Sequence, residues 1–280
     1  MKRAFLLTIT AGCLFAQSAK KPVVEFDMMT WSEIKHAIQD AGFVNVIVYN
    51  GGVEQRGPQN VSGGHNLMAT ETARAIALAV GHTLVAPVLP YSVNEAPDGL
   101  VWGTIGLTGP IFADVNRRVA EQLIKNGFKN VFLMGDHGGG QKEMAEVAKE
   151  LDAKYSPKGA HVYFCGEMYE KAQNDYWKWL EANHYPSYGH ASIMDTSEML
   201  YLSTRDGHDW GWTRQDLIKT AVGDPVGKRD PNVPRINNGI TGDARPSTPE
   251  LGKKIFDMKV DYAVRQMKEY LGSAHASASN

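Results

Sequence analysis

Four short apolar, β-branched runs recur along the chain, at 44–49 (Val-Asn-Val-Ile-Val-Tyr), 82–87, 131–134 and 161–164. Their alternation with helical stretches is the strongest constraint on the fold. Strands buried on both faces read as continuous apolar runs, and parallel strands joined by crossover helices are buried in that way. Between the runs, 66–80 is rich in alanine, 111–125 sets Val115, Val119 and Leu123 four apart, and 141–154 has helical character. The pattern predicts an α/β fold with a mainly parallel sheet flanked by helices on both faces. With 43% hydrophobic residues in 280, there is enough apolar material for one such core. We expect a single α/β domain over 22–272, closed by a terminal helix over 249–271 and followed by a disordered small-residue tail at 273–280. Asp224 to Pro246 is rich in Pro, Gly and Asn and reads as a surface loop.

The N-terminus reads as an address. Met1-Lys2-Arg3 precedes an apolar stretch over 4–16 that ends in small residues, the form of a secretory signal peptide over 1–19. The expected location is periplasmic or secreted. Thr10-Ala11-Gly12-Cys13 also resembles a lipobox, so a lipid anchor at Cys13 is an alternative. No other run is long enough for a membrane span. Lys+Arg 29 against Asp+Glu 31 leaves a formal charge of -2, with no basic face for nucleic acid. Two cysteines cannot build a disulfide scaffold.

In parallel α/β sheets the ligand crevice lies beyond the carboxyl ends of the strands. The loops 51–65 and 135–140 both leave such ends, so they are expected to converge. They carry Glu54, Arg56, His65, Asp136 and His137, and a third segment carries His190 and Asp195. Imidazole nitrogens beside a carboxylate suit zinc, manganese or iron.

At these residues the chain resembles the creatininase (creatinine amidohydrolase) family. That family's Glu-Gln-His-Gly-Pro-His-Leu-Pro-Leu-Gly-Thr-Asp appears here as the stretch from Glu54-Gln55-Arg56-Gly57-Pro58 to His65. Its Asn-Gly-His-Gly-Gly-Asn appears as Gly135-Asp136-His137-Gly138-Gly139-Gly140, and its third motif as His190-Ala191-Ser192 running to Asp195-Thr196-Ser197. The resemblance spans about residues 30–205 in order. It implies a three-layer sandwich, a metal-dependent amidohydrolase and a homo-oligomer, often a hexamer.

The departures fall on one metal position. By the resemblance, the residues of one family metal become Glu54, His65 and His137. Arg56 stands where a second metal's histidine would be, and His65 where an aspartate bridges the two ions. Arginine stays protonated and cannot ligate a cation, and a neutral imidazole has only one free lone pair. The expected site is therefore mononuclear: one divalent ion per subunit, zinc first with manganese or iron as alternatives, with Asp195 as a fourth ligand or an outer partner. Arg56 is expected to hold a substrate carboxylate or stabilise an oxyanion, the alternative being a salt bridge to Glu54. His190 is the candidate proton shuttle. Asp136 is expected to orient His137, the alternative being that it faces solvent. Glu95, Asp98 and Trp102 are candidate substrate contacts, and Trp177, Trp179, Trp210 and Trp212 candidate pocket walls. The function expected is hydrolysis of a cyclic or linear amide bond in a small molecule. Lactone hydrolysis, lyase or isomerase chemistry on a hydroxy-carbonyl compound, and ligand binding without catalysis are the alternatives.

Overall fold

The computed structural model describes residues 22–94, 102–228 and 230–278, with side chains described through 273. The expected signal peptide with Cys13, and the candidates Glu95 and Asp98, lie outside the described residues. Four strands, β1 (Asn45–Asn50), β2 (Thr83–Val85), β3 (Asn130–Gly135) and β4 (His161–Phe164), form one sheet in the order β2-β1-β3-β4. Every pairing is parallel. The helices are α1 (Trp31–Gln39), α2 (Gly64–Val80), α3 (Gly109–Asn126), α4 (Gln141–Tyr155), α5 (Glu167–Ala182), α6 (Ile193–Thr204), α7 (Gln215–Ile218) and α8 (Pro249–Ala278).

Strand side chains alternate between faces, and here both faces are dry. Val46, Val48, Leu84, Val131 and Leu133 pack on one side against Phe112, Ala120 and Leu123 of α3 and Met144, Val147 and Leu151 of α4. Ile47, Tyr49, Phe132 and Met134 pack on the other against Ala69, Ala73 and Ile76 of α2 and Ala263 and Met267 of α8. Burying each large apolar side chain contributes ~1.5–3 kcal/mol relative to exposure. The result is the expected α/β sheet between two helical layers, which accounts for the unbroken apolar runs.

Helices α1, α5 and the one-turn α7 go unassigned in the sequence reading. Helix α1 opens on a capping box in which the Thr30 side chain accepts from the Glu33 backbone N–H and Glu33 reaches back. Helix α5 starts at Glu167, well before the tryptophan-rich stretch that marks it in sequence. Helix α8 continues to Ala278, past the Leu271 at which the apolar spacing ends it. No helix among the described residues is long and apolar enough to cross a membrane.

The topology sets the position of the site. From β1 the chain passes through α2 to β2 on one side; from β3 it passes through α4 to β4 on the other. Between β1 and β3 the winding reverses, and a crevice opens at the carboxyl ends of such a pair. Asn50 pairs with Gly135 at the last step of the register, so both strands discharge their loops at the same level.

Candidate metal centre

Glu54 follows β1, His65 lies in the first turn of α2, and His137 follows β3. Their ligand-capable atoms all lie within 4.8 Å of one another, the one such cluster among the described residues. His65 Nε2 is 2.7 Å from Glu54 Oε1 and His137 Nε2 is 3.1 Å from Glu54 Oε2, with the rings edge to face. Asn94 Nδ2 also donates to Glu54 Oε2, at 3.1 Å. Burial alone would raise the Glu54 carboxyl, but hydrogen bonds from His137 and His65 hold it well below the usual carboxylate range. Burial lowers His137, yet the hydrogen bond and charge of Glu54 outweigh it and raise this imidazole.

Two imidazoles and one carboxylate fit a divalent transition metal, and three protein ligands with an open position is the form of catalytic zinc sites. The loops allow this ligation. His137 Nδ1 accepts from the Gly139 backbone N–H at 3.0 Å and lies 3.3 Å from the Gly139 carbonyl, which takes the ring N–H instead in the tautomer whose Nε2 is free for a metal. Gly139 permits the close approach, because a Cβ there would overlap the Val93 carbonyl.

His190 faces the cluster from the segment before α6. Its Nε2 donates to the Gln55 carbonyl at 2.7 Å, which leaves Nδ1 as the free lone pair, 3.7 Å from Glu54 Oε1. The backbone is strained on both sides: Tyr188 and Ala191 have φ of 62° and 51°, and Gly189 has 105°. The strand-like exchange of His190 with Thr241, at 3.1 and 2.9 Å, holds that conformation.

Arg56 departs from expectation. It is the largest fully buried side chain among the described residues, 1% exposed, and it does not line the metal cleft. Its Nη2 lies 3.1 Å from Asp195 Oδ1 and its Nη1 lies 3.7 Å from Glu54 Oε1. The guanidinium rests against Gly64, where a Cβ would press on Nε at 2.7 Å. Burial works against the charge, but Asp195, Glu54 and Asp136 outweigh it and keep Arg56 protonated. Its surroundings are those of an internal counter-ion, close to the salt-bridge alternative, although none of its three guanidinium nitrogens has a hydrogen-bond partner among the described residues.

Asp195 lines the metal cleft with both oxygens engaged. One oxygen faces Arg56 and the other accepts from the Ala191 backbone N–H at 2.8 Å. Asp136 orients a different histidine from the one expected: its Oδ2 lies 3.1 Å from His65 Nδ1, and Oδ1 takes Lys259 Nζ at 2.6 Å. Trp102 is 90% exposed and borders a neighbouring cavity beyond the Gln55–Pro58 segment, not the metal cleft. Among the tryptophans considered, Trp177 lines the cleft; Tyr169, Gln173 and Met194 join it there. Asn94, which reaches Glu54, and Lys259, which joins Asp136 to Glu198, are neighbours of the site outside the matched motifs.

The family model described as creatinine amidohydrolase matches residues 27–267. The chain belongs to the creatininase family. Its members are metal-dependent amidohydrolases, and solved structures share the fold. A tryptophan-to-phenylalanine variant of creatininase is 18% identical with a TM-score of 0.70, covering 88% of this chain and 98% of its own. A structure titled "Creatininase Mn" is 18% identical with a TM-score of 0.67 over 89% and 99% of the two chains. A putative creatinine amidohydrolase from Bacteroides fragilis is 15% identical with a TM-score of 0.63 over 88% and 95%. No curated sequence matches the chain.

Proposed function

We propose that this creatininase-family protein hydrolyses a C–N amide bond, cyclic or linear, in a small molecule other than creatinine. In this reading it uses one divalent ion held by Glu54, His65 and His137. The observation that carries it is the convergence of those three side chains at the switch point, with a buried guanidinium beside the same glutamate. Arg56 supplies a fixed positive charge there, which opposes a second cation. A divalent ion at the three ligands polarises a carbonyl and lowers the pKa of a water molecule.

The chain's own groups do the rest. His190 accepts a proton at Nδ1 while its Nε2–H stays on the Gln55 carbonyl, and it returns that proton to the leaving nitrogen. Tyr169, Gln173, Trp177 and Met194 wall a cavity of about 280 Å³, at the lower end for ligand pockets, which favours a small substrate. The basic start and apolar stretch over 4–16 support export to the periplasm or beyond, and family membership supports a homo-oligomer.

The test is a panel of cyclic and linear amides, with lactones alongside, turned over in ¹⁸O-water by zinc-, manganese- or iron-loaded enzyme. Amide cleavage with ¹⁸O in the product carboxylate supports the reading. Turnover of lactones alone, or exchange of a carbon-bound proton without ¹⁸O uptake, contradicts it.

A further inference from the structure

Behind the candidate ligands lies a second set of charges, which meets the cleft at Asp136. Lys259 of α8 is 1% exposed, and its Nζ sits 2.6 Å from Asp136 Oδ1 and 2.6 Å from Glu198 Oε2. A buried ammonium is tolerated only when paired and hydrogen-bonded, so this lysine is committed to those two carboxylates. They use it differently. Asp136 employs both oxygens, the second one 3.1 Å from His65 Nδ1. Glu198 employs one, and its Oε1 has no hydrogen-bond partner among the described residues. A continuous line of contacts therefore runs from the terminal helix through Asp136 to His65, whose Nε2 faces Glu54 at 2.7 Å.

We propose that Lys259 is a positioning residue for the His65 ligand: it holds Asp136 in the one orientation that keeps a hydrogen on His65 Nδ1 and aims the Nε2 lone pair at the cation position. The inference rests on the metal reading above and extends it to a residue 123 positions from Asp136 in sequence. Carboxylates that hold the far nitrogen of a metal-bound histidine fix its tautomer and orientation. An aspartate free to rotate between a lysine-less pocket and His65 would do neither. Glu198 serves the lysine rather than the histidine. The contact line makes the two carboxylates distinguishable although they share one buried cluster.

The experiment is a zinc titration against a chromogenic chelator with full-length protein, comparing wild type, Lys259→Met, Lys259→Arg and Glu198→Gln, beside thermal melts of each. Lys259→Met is expected to weaken zinc binding by roughly 10- to 100-fold, the usual effect of losing support behind a metal-bound histidine. Lys259→Arg should recover part of that loss. Glu198→Gln should leave affinity within about threefold whatever its effect on the melt, since the line from Lys259 through Asp136 to His65 persists. A purely structural role for the cluster would lower affinity equally in both. In zinc-loaded wild type, ¹⁵N NMR should show His65 protonated at Nδ1 and bound through Nε2, the signal assigned by its loss in His65→Gln. Unchanged affinity in folded Lys259→Met, equal losses in the Lys259→Met and Glu198→Gln variants, or His65 protonated at Nε2 overturns the proposal. If Lys259→Met does not fold, the Lys259→Arg titration and the wild-type spectrum decide. Wild type that binds no zinc, manganese or iron defeats the metal reading itself; tight wild-type binding unaltered in Lys259→Met defeats the Lys259 proposal alone.

Discussion

Replacing Arg56 by methionine separates an internal counter-ion from a substrate-binding residue. Methionine keeps most of the apolar stem's volume and removes only the guanidinium. Asp195 is 8% exposed, and its carboxyl is held low against burial chiefly by the Arg56 charge 3.1 Å away. Without that charge Asp195 must either stay ionised in a dry site or take up a proton. Removing one member of such a buried pair costs ~3–5 kcal/mol. At roughly 2–4 °C per kcal/mol for a domain of this size, the melting temperature should fall by ~6–20 °C. Calorimetry and urea titration of metal-free protein measure this apart from any stabilisation by bound metal. In the Arg56→Met/Asp195→Leu double variant, where both charges are gone, most of the loss should disappear. If Arg56→Met melts within about 2 °C of wild type and loses only activity, the guanidinium acts on substrate and the counter-ion account is refuted.

His190→Gln should lower kcat by ~10²–10⁴ in hydrolysis assays while thermal stability stays within about 1 kcal/mol, since the ring is a proton carrier on a loop and not a core group; an unaltered kcat would contradict that role. Gly189→Ala should destabilise the protein and lower kcat together in melts and rate assays, because φ of 105° disfavours a Cβ and the Cβ would overlap the Thr241 carbonyl. Metal-free protein should be most stable near pH 5 in urea titrations across pH. On the acid side, Lys259 and His65 outweigh burial and hold Asp136 at about 2, and the Arg56 charge outweighs burial and lowers Asp195, so their contribution is lost as pH falls below about 4. On the other side, burial pushes Glu198 up to about 7, so its contribution declines between about pH 4 and 7, and Glu54 raises His137 against burial, so that contribution declines from about pH 6.5 upward. Stability that climbs steadily to pH 8 would contradict these assignments.

The sheet was legible because β1, β2 and β3 are buried on both faces and so read as apolar runs, with the half-buried edge strand β4 continuing the alternation. Helix α5 was not, because its buried residues, Met168, Ala172, Tyr176 and Leu180, are interleaved with polar ones over a longer stretch than the tryptophans suggest. Glu54, His65 and His137 were legible as a set because each follows a strand end or opens the helix beyond it. Asp136 was paired with its neighbour His137 in sequence, yet consecutive residues leaving a strand face opposite ways, and this one meets His65 instead. The burial of Arg56 could not be seen, because it depends on Asp195, which arrives from α6. Lys259 did carry a signal. It interrupts the row Ile255, Ala263, Met267 at four-residue spacing, and a lysine inside a buried helical row calls for buried partners.

Anomalous diffraction from crystals loaded with excess zinc or manganese, recorded at each metal's edge, tests the central claim most directly. The account predicts one peak per subunit, bonded to Glu54, His65 Nε2 and His137, with the Arg56 guanidinium unmoved beside Asp195. No peak between those side chains, or two peaks with Arg56 swung aside, would contradict it.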